Sequence, residues 1–207
     1  VGSQLAFVSD RSGSRQIHVH WLQQNRTAQL SQLAGSPANL TWSPDGRQLA
    51  FSMNVAAGPA KVSSLVKMPK KPAKANWSEP AVVIDRADYQ ADGQGFLSSS
   101  YRQLFILPAS GGKERQLTFA ERNHGADLLF SPDAQSLIFS ANLAADFEYQ
   151  PRDKDLYQLR LSDLSLQQLT RLAGLEEKAS FSPDGQKLAF IWGHNEKVPF
   201  ANGKVKV

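Results

Sequence analysis

The stretch Trp42-Ser43-Pro44-Asp45-Gly46-Arg47-Gln48-Leu49-Ala50-Phe51 constrains this chain more than any other, because the chain repeats it. Ser182-Pro183-Asp184-Gly185-Gln186-Lys187-Leu188-Ala189-Phe190 is a second copy. Ser131-Pro132-Asp133-Ala134-Gln135-Ser136-Leu137-Ile138-Phe139 is a third, with alanine in the glycine position. The opening Gly2-Ser3-Gln4-Leu5-Ala6-Phe7 matches Gly46 to Phe51 position for position. A recurring unit of this kind decides the architecture before any single residue does. Its chemistry is that of a tight turn: Pro presets φ, Asp accepts from backbone amides two residues on, and Gly accepts positive φ. Pro44, Asp45, Gly46, Pro132, Asp133, Pro183, Asp184 and Gly185 are therefore read as turn builders, not as acid–base or metal-binding groups. Ala134 implies that the turn does not always need a left-handed residue.

Each turn belongs to a longer unit. After the Leu-Ala-Phe strand comes an apolar strand, at Gln16-Ile17-His18-Val19, Gln103-Leu104-Phe105-Ile106-Leu107 and Asp155-Leu156-Tyr157-Gln158-Leu159. Gln-Leu-Ser/Thr starts twelve residues after the first apolar position of each, at Gln29, Gln116 and Gln168. The next Ser-Pro-Asp follows fourteen or fifteen residues later, at Ser43, Ser131 and Ser182. For the second unit the pattern gives short strands at 39–43, 47–53, 103–107 and 114–118. Alternation such as Leu49-Ala50-Phe51 suits half-buried antiparallel strands. Four-stranded units of about 40–50 residues are the signature of propeller blades, each burying a face that it cannot bury alone. With 14 Gly, 11 Pro and no long helical period, the fold class expected is all-β: a partial β-propeller of about four four-stranded antiparallel blades. The chain opens inside a repeat, which predicts a piece of a longer protein.

One interval breaks the rule. Between the second and third strands, Phe7 to Ile17 is 10 residues and Phe139 to Leu156 is 17, but Phe51 to Leu104 is 53. No turn motif and no Gln-Leu-Thr occurs inside it, so 53–101 is read as an insertion within one blade of a single 1–207 propeller fragment. In an up-and-down blade it shares a face with the 144–153 loop. Long insertions on one face are where repeat proteins place binding. Trp77, Arg86, Asp88, Tyr89 and Asp92 are the candidates for contact with a substrate or a neighbouring domain. The aromatic pair is read first as pinning the insertion. Arg86, Asp88 and Asp92 fit either an internal salt-bridged turn or the lining of a mouth.

The search for chemistry excludes more than it finds. Zero cysteines rule out disulfides, thiolate metal sites and a cysteine nucleophile. No Gly-x-Ser-x-Gly elbow is present. Ser110-Gly111-Gly112 reads as a hairpin turn, and Gly111-Gly112-Lys113 lacks the helix that a phosphate loop needs. His18 and His20 share one face of a strand but find no third ligand at a recognisable spacing; they read as partly exposed strand histidines. Asp146, Glu148, Asp153 and Asp155 lack the order of a calcium loop and read as a solvated acidic loop. The expectation is no catalytic residue, no metal and no cofactor. Net charge is +4, but Lys61, Lys67, Lys70, Lys71 and Lys74 supply five positive charges, and taking them away leaves the rest at −1. That distribution argues against nucleic acid as a partner, and the lysine segment reads as a solvated loop. No apolar run is long enough for a transmembrane helix. Cytoplasm and periplasm both remain open.

The repeated Ser-Pro-Asp-Gly-x-x-Leu-Ala-Phe with Gln-Leu-Thr resembles the propeller repeats shared by TolB and the prolyl oligopeptidase superfamily. Trp77-x-x-Pro80, Arg86-x-Asp88-Tyr89-x-x-Asp92-Gly93-x-Gly95, Leu104-Phe105 and Gly111-Gly112-x-x-Arg115-Gln116-Leu117-Thr118 are similar to the acylaminoacyl-peptidase and dipeptidyl-peptidase branch. Ser140-Ala141-Asn142 fits that branch too. The resemblance implies a non-catalytic propeller that scaffolds and gates peptide substrates for a C-terminal α/β-hydrolase domain, which this chain lacks. The alternative it implies is a TolB-like periplasmic module for protein–protein contact. An incomplete ring would leave blade edges open, which predicts that such a fragment either self-associates or is a product of proteolysis.

Overall fold

The computed structural model describes residues 2–57, 70, 72–75, 84, 86–93, 95–97, 99–194 and 202–207. Among them there is no helix; the chain is built of β-strands and turns. Sheet 1 contains β1 (Gln4–Ser9), β2 (Gln16–Trp21) and β3 (Arg26–Gln29) in sequence order. In chain order β4 (Pro37–Trp42), β5 (Gln48–Ala56), β6 (Gln90–Ala91), β7 (Gly95–Phe96), β8 (Ser100–Pro108) and β9 (Arg115–Gln116) follow. Sheet 2 has the order β4-β5-β8-β9, while β6 and β7 form a hairpin of their own. Sheet 3 is β10 (Ala126–Phe130), β11 (Ser136–Ala141), β12 (Asp155–Arg160) and β13 (Leu166–Gln168), and sheet 4 is β14 (Gly174–Phe181), β15 (Leu188–His194) and β16 (Lys204–Lys206). Consecutive strands of sheets 1, 3 and 4 pair antiparallel throughout. Among the described residues, then, two of the four larger sheets have four strands and two have three.

The chain divides into two compact units, Val1–Val55 with Tyr101–Val207, and Ala56–Ser100. In the larger unit the sheets stack in series through their leading strands, β1 beside β4, β4 beside β10 and β10 beside β14. Side chains of a strand alternate between its faces, and here both faces are buried. From β5, Leu49, Phe51 and Met53 join Ile17, Val19, Phe105 and Leu107 in a core toward sheet 1. Ala50 turns to the other core with Leu104, Ile106, Leu137, Phe139 and Leu159, toward sheet 3. Phe51 stacks on Phe105 at 5.5 Å and Phe139 on Tyr157 at 6.0 Å between ring centroids. Each such side chain withdrawn from water contributes roughly 1.5–3 kcal/mol.

The repeated turns have one geometry. Ser43 N donates to Gln48 O and Gly46 N to Ser43 O, both at 2.9 Å. Ser43 Oγ donates to Asp45 Oδ1 at 2.6 Å and accepts from Gln48 N, while Arg47 N donates to Asp45 Oδ1. The same bonds recur at Ser131 and Asp133 and at Ser182 and Asp184. Gly46, Ala134 and Gly185 have φ of 68°, 58° and 70°. The expectation drawn from Ala134 was wrong: the turn is left-handed in every copy, and Ala134 bears the strain that glycine avoids.

Candidate functional site

All five candidate residues fall within the smaller unit, and four of them, Arg86, Asp88, Tyr89 and Asp92, are among the described residues. Gly93 and Gly95 take positive φ, 74° and 73°, and the chain folds back so that Gln90 faces Phe96 and Ala91 faces Gly95. Leu97 N closes the hairpin on Tyr89 O at 2.8 Å. The Tyr89 and Phe96 rings stack at 6.3 Å, with Tyr89 partly and Phe96 largely exposed. Asp92 lies in the turn and Asp88 at the hairpin base, both exposed. Arg86 Nη1 donates to Ser100 O at 3.4 Å, fixing the hairpin to the end of the unit. Trp77 lies outside the described residues, as do Lys61, Lys67 and Lys71. Among its described residues the unit thus presents an exposed aromatic pair flanked by two carboxylates.

In the larger unit, the loop around 144–153 folds over Arg122. The Arg122 guanidinium sits 4.2 Å from the centre of the Phe147 ring, with its Nε buried and without a hydrogen-bond partner among the described residues. This cation–π contact ties the connection between sheets 2 and 3 to that loop. Phe119 and Tyr149 stand exposed on the same two segments. Asp146 accepts from Gln150 Nε2 at 2.9 Å. Asp153 and Asp155, grouped by sequence with a solvated acidic loop, do structural work instead: Asp153 Oδ1 accepts from Gly174 N at 2.7 Å, and Asp155 Oδ2 from Gln168 Nε2 at 2.7 Å. His18 also departs from expectation. It is buried, stacked 5.6 Å from Phe7, whereas His20 remains partly exposed and bonds Thr27 Oγ1 at 2.8 Å. Ser110-Gly111-Gly112 forms the β8–β9 turn, with Gly111 N donating to Pro108 O.

Sequence reasoning found the Gln-Leu-Ser/Thr spacing but missed its purpose. In sheet 1, Ile17 N donates to Ser31 Oγ at 2.9 Å, and Ser31 Oγ donates to Gln16 Oε1 at 2.8 Å. Gln16 also accepts from Leu33 N and donates to Leu33 O, clamping the exit turn. Sheet 2 repeats the clamp with Leu104 N, Thr118 and Gln103, whose amide donates to Ala120 O and Arg122 O. The signal was present: a glutamine directly before the apolar strand, fifteen residues ahead of the hydroxyl. In sheet 3 that position is Asp155. Leu156 N still donates to Thr170 Oγ1 at 2.8 Å, but Thr170 now donates to Glu176 Oε2, which belongs to β14. Leu172 N donates to Glu176 Oε1 at 3.1 Å, as Leu33 N does to Gln16.

A second missed set lies four residues before each Ser-Pro-Asp. Asn39, Asp127 and Lys178 have φ of 53°, 55° and 55° and sit at irregularities in the ladders of β4, β10 and β14. Asn39 Nδ2 donates to Gly125 O at 2.8 Å, and Asp127 Oδ2 accepts from Lys178 N at 3.2 Å. The bulges at Asn39 and Asp127 therefore each pin the next sheet.

No protein-family model matches the chain. The uncharacterized peptidase YuxL of Bacillus subtilis is 30% identical over 154 residues, which is 73% of this chain and 22% of that protein. A TolB homolog of Chlorobium chlorochromatii is 25% identical over 190 residues, 92% of this chain and 31% of that protein. Among solved structures, the acylaminoacyl peptidase of Pyrococcus horikoshii superposes with a TM-score of 0.67 at 16% identity, covering 99% of this chain and 28% of that one. The sheets are thus those of a propeller-type β-domain. More particularly, the chain resembles the propeller of acylaminoacyl peptidases in the prolyl oligopeptidase superfamily, with repeats like those of TolB. It spans about a quarter of the length of these relatives.

Proposed function

We propose that the chain is the propeller part of a serine peptidase resembling acylaminoacyl peptidase, in which it scaffolds and gates access for peptide substrates. The four stacked sheets act as four blades, and 53–101 is an insertion between the second and third strands of one of them. The observation that carries this reading is the 30% identity with a peptidase over 154 residues. The chain supplies no nucleophile; an α/β-hydrolase domain of the same protein supplies the chemistry. The exposed Tyr89–Phe96 pair, with Asp88 and Asp92 beside it, offers a recognition surface for peptide or for that domain. The test is labelling of the full-length protein with a fluorophosphonate. One serine labelled outside these residues is expected, and an unlabelled, folded protein overturns the reading. The similarity to a TolB homolog over 92% of the chain favours a second reading, a module for protein–protein contact in the periplasm. It predicts no labelling and recovery of a stable partner complex instead.

A further inference from the structure

The joint between sheets 3 and 4 is built from backbone and carboxylates. Lys154 and Leu175 form an isolated parallel bridge, with Lys154 N donating to Gly174 O at 2.9 Å and Glu176 N to Lys154 O at 3.0 Å. Asp153 caps the bridge by accepting from Gly174 N, and Ser140 Oγ donates to Glu176 O. Glu176 is fully buried, and Asp155 follows directly after the bridge. In sheets 1 and 2 the position of Asp155 carries the neutral amides Gln16 and Gln103, which close their own turns. We infer that Asp155, set against Glu176 in this bridge, makes the joint between sheets 3 and 4 a proton-sensitive weld that tightens as the solution is acidified.

The groups that act on Asp155 come from every neighbouring segment. Glu176 on β14 and Asp153 ahead of β12 repel its negative charge, while Gln168 on β13 donates to it and Arg171 beyond β13 attracts it. Lys154 lies between the two aspartates and engages the joint through its backbone, and Tyr157 lies two residues on along β12. Desolvation first, then the repulsion from Glu176 and Asp153, push the Asp155 carboxyl up to about 6. A carboxyl with a folded pKa above its unfolded value of about 3.9 binds its proton more tightly in the closed joint. That stabilisation is fully present below about pH 4 and is lost as pH rises through about 6. A neutral Asp155 keeps an acceptor for Gln168 while the charge facing Glu176 disappears.

The experiment is hydrogen–deuterium exchange on the full chain at pH 7.5 and pH 5, corrected for intrinsic exchange. Protection of the Lys154, Leu172, Gly174 and Glu176 amides is expected to rise about tenfold at pH 5, the effect of one pK unit of coupling. The amides of Ile17, Leu33 and Leu104 in the neutral clamps serve as internal controls and should stay level. Asp155→Asn, which keeps the acceptor, should hold the high protection at both pH values, and Asp155→Gln is the second variant should the first fold poorly. Equal protection of the wild-type joint at both pH values overturns the inference. So does a pH response that survives either substitution, or one shared by the control amides.

Discussion

Between sheets 1 and 2, Phe51 stacks on Phe105 within a cluster that includes Ile17, Val19, Leu49 and Leu107. Between sheets 3 and 4 there is instead a cavity of about 700 Å³ beside Pro132, Ile138, Phe181, Leu188 and Phe190, and Glu176 crosses to close the neighbour's turn. The first joint is sealed by area removed from water, which is insensitive to pH and tolerant of small shifts. The other depends on a few directed bonds at a buried carboxyl group, each costly to leave unmade. Similar repeats therefore produce joints of different mechanical character, and the difference lies in residues outside the repeated motif.

Removing the crossing residue gives the sharpest test of this contrast. Glu176→Ala is expected to cost about 3 kcal/mol, because it orphans the Thr170 hydroxyl and the Leu172 amide and leaves a void. Gln103→Ala, the corresponding loss in a clamp closed within its own sheet, should cost about 2 kcal/mol. Urea denaturation of the full-length protein measures both. A smaller effect at Glu176 than at Gln103 would mean that the crossing bond adds nothing to the joint.

The turns provide finer tests. Ala134→Gly relieves a left-handed alanine and should stabilise by about 1 kcal/mol, with Gly46→Ala, in open space, costing a similar amount. Gly185→Ala should cost more, because its Cβ would lie 2.9 Å from Pro132 Cγ across the same joint. A thermal shift series on the three variants orders them.

Smallest is the pH response of the turn aspartates. The Ser43, Ser131 and Ser182 hydroxyls hold Asp45, Asp133 and Asp184 below the ordinary carboxylate range, helped by the amides that follow. Their contribution is present above about pH 4 and is lost as pH falls through the depressed values, opposite in sign to that of Asp155. Stability followed by denaturant midpoint from pH 3 to 8 should therefore rise to a shallow maximum and then decline. Asp155→Asn should remove only the decline at the higher-pH side.

Much of the architecture was legible because turn chemistry is local. Ser, Pro, Asp and Gly within four positions specify a bond pattern without reference to the rest of the chain, and their spacing located β5, β11 and β15. The clamps were half legible: Gln16 and Ser31 meet only once the β2–β3 register sets Ile17 opposite the exit turn, which no local pattern reveals. Glu176 was not legible at all, since its role follows from how one sheet abuts the next. The left-handed Ala134 was misread for a related reason, as residue type reports the cost of a conformation and not whether the fold enforces it. In the candidate site, a turn was one of two readings of Arg86, Asp88 and Asp92, Tyr89 was read as an anchor, and its stacking partner Phe96 was not singled out.

The two-sided burial of β5 bears on how such a chain can change over time. A strand with one wet face can slip by a residue and expose only its own error. Slippage here would exchange Ala50 for Phe51 in one core and remove Phe51 from the other, damaging two interfaces at once. Single-residue insertions and deletions inside such strands should be purged. Lengthening is tolerated only in the connections, where the interval between the paired strands β5 and β8 lies.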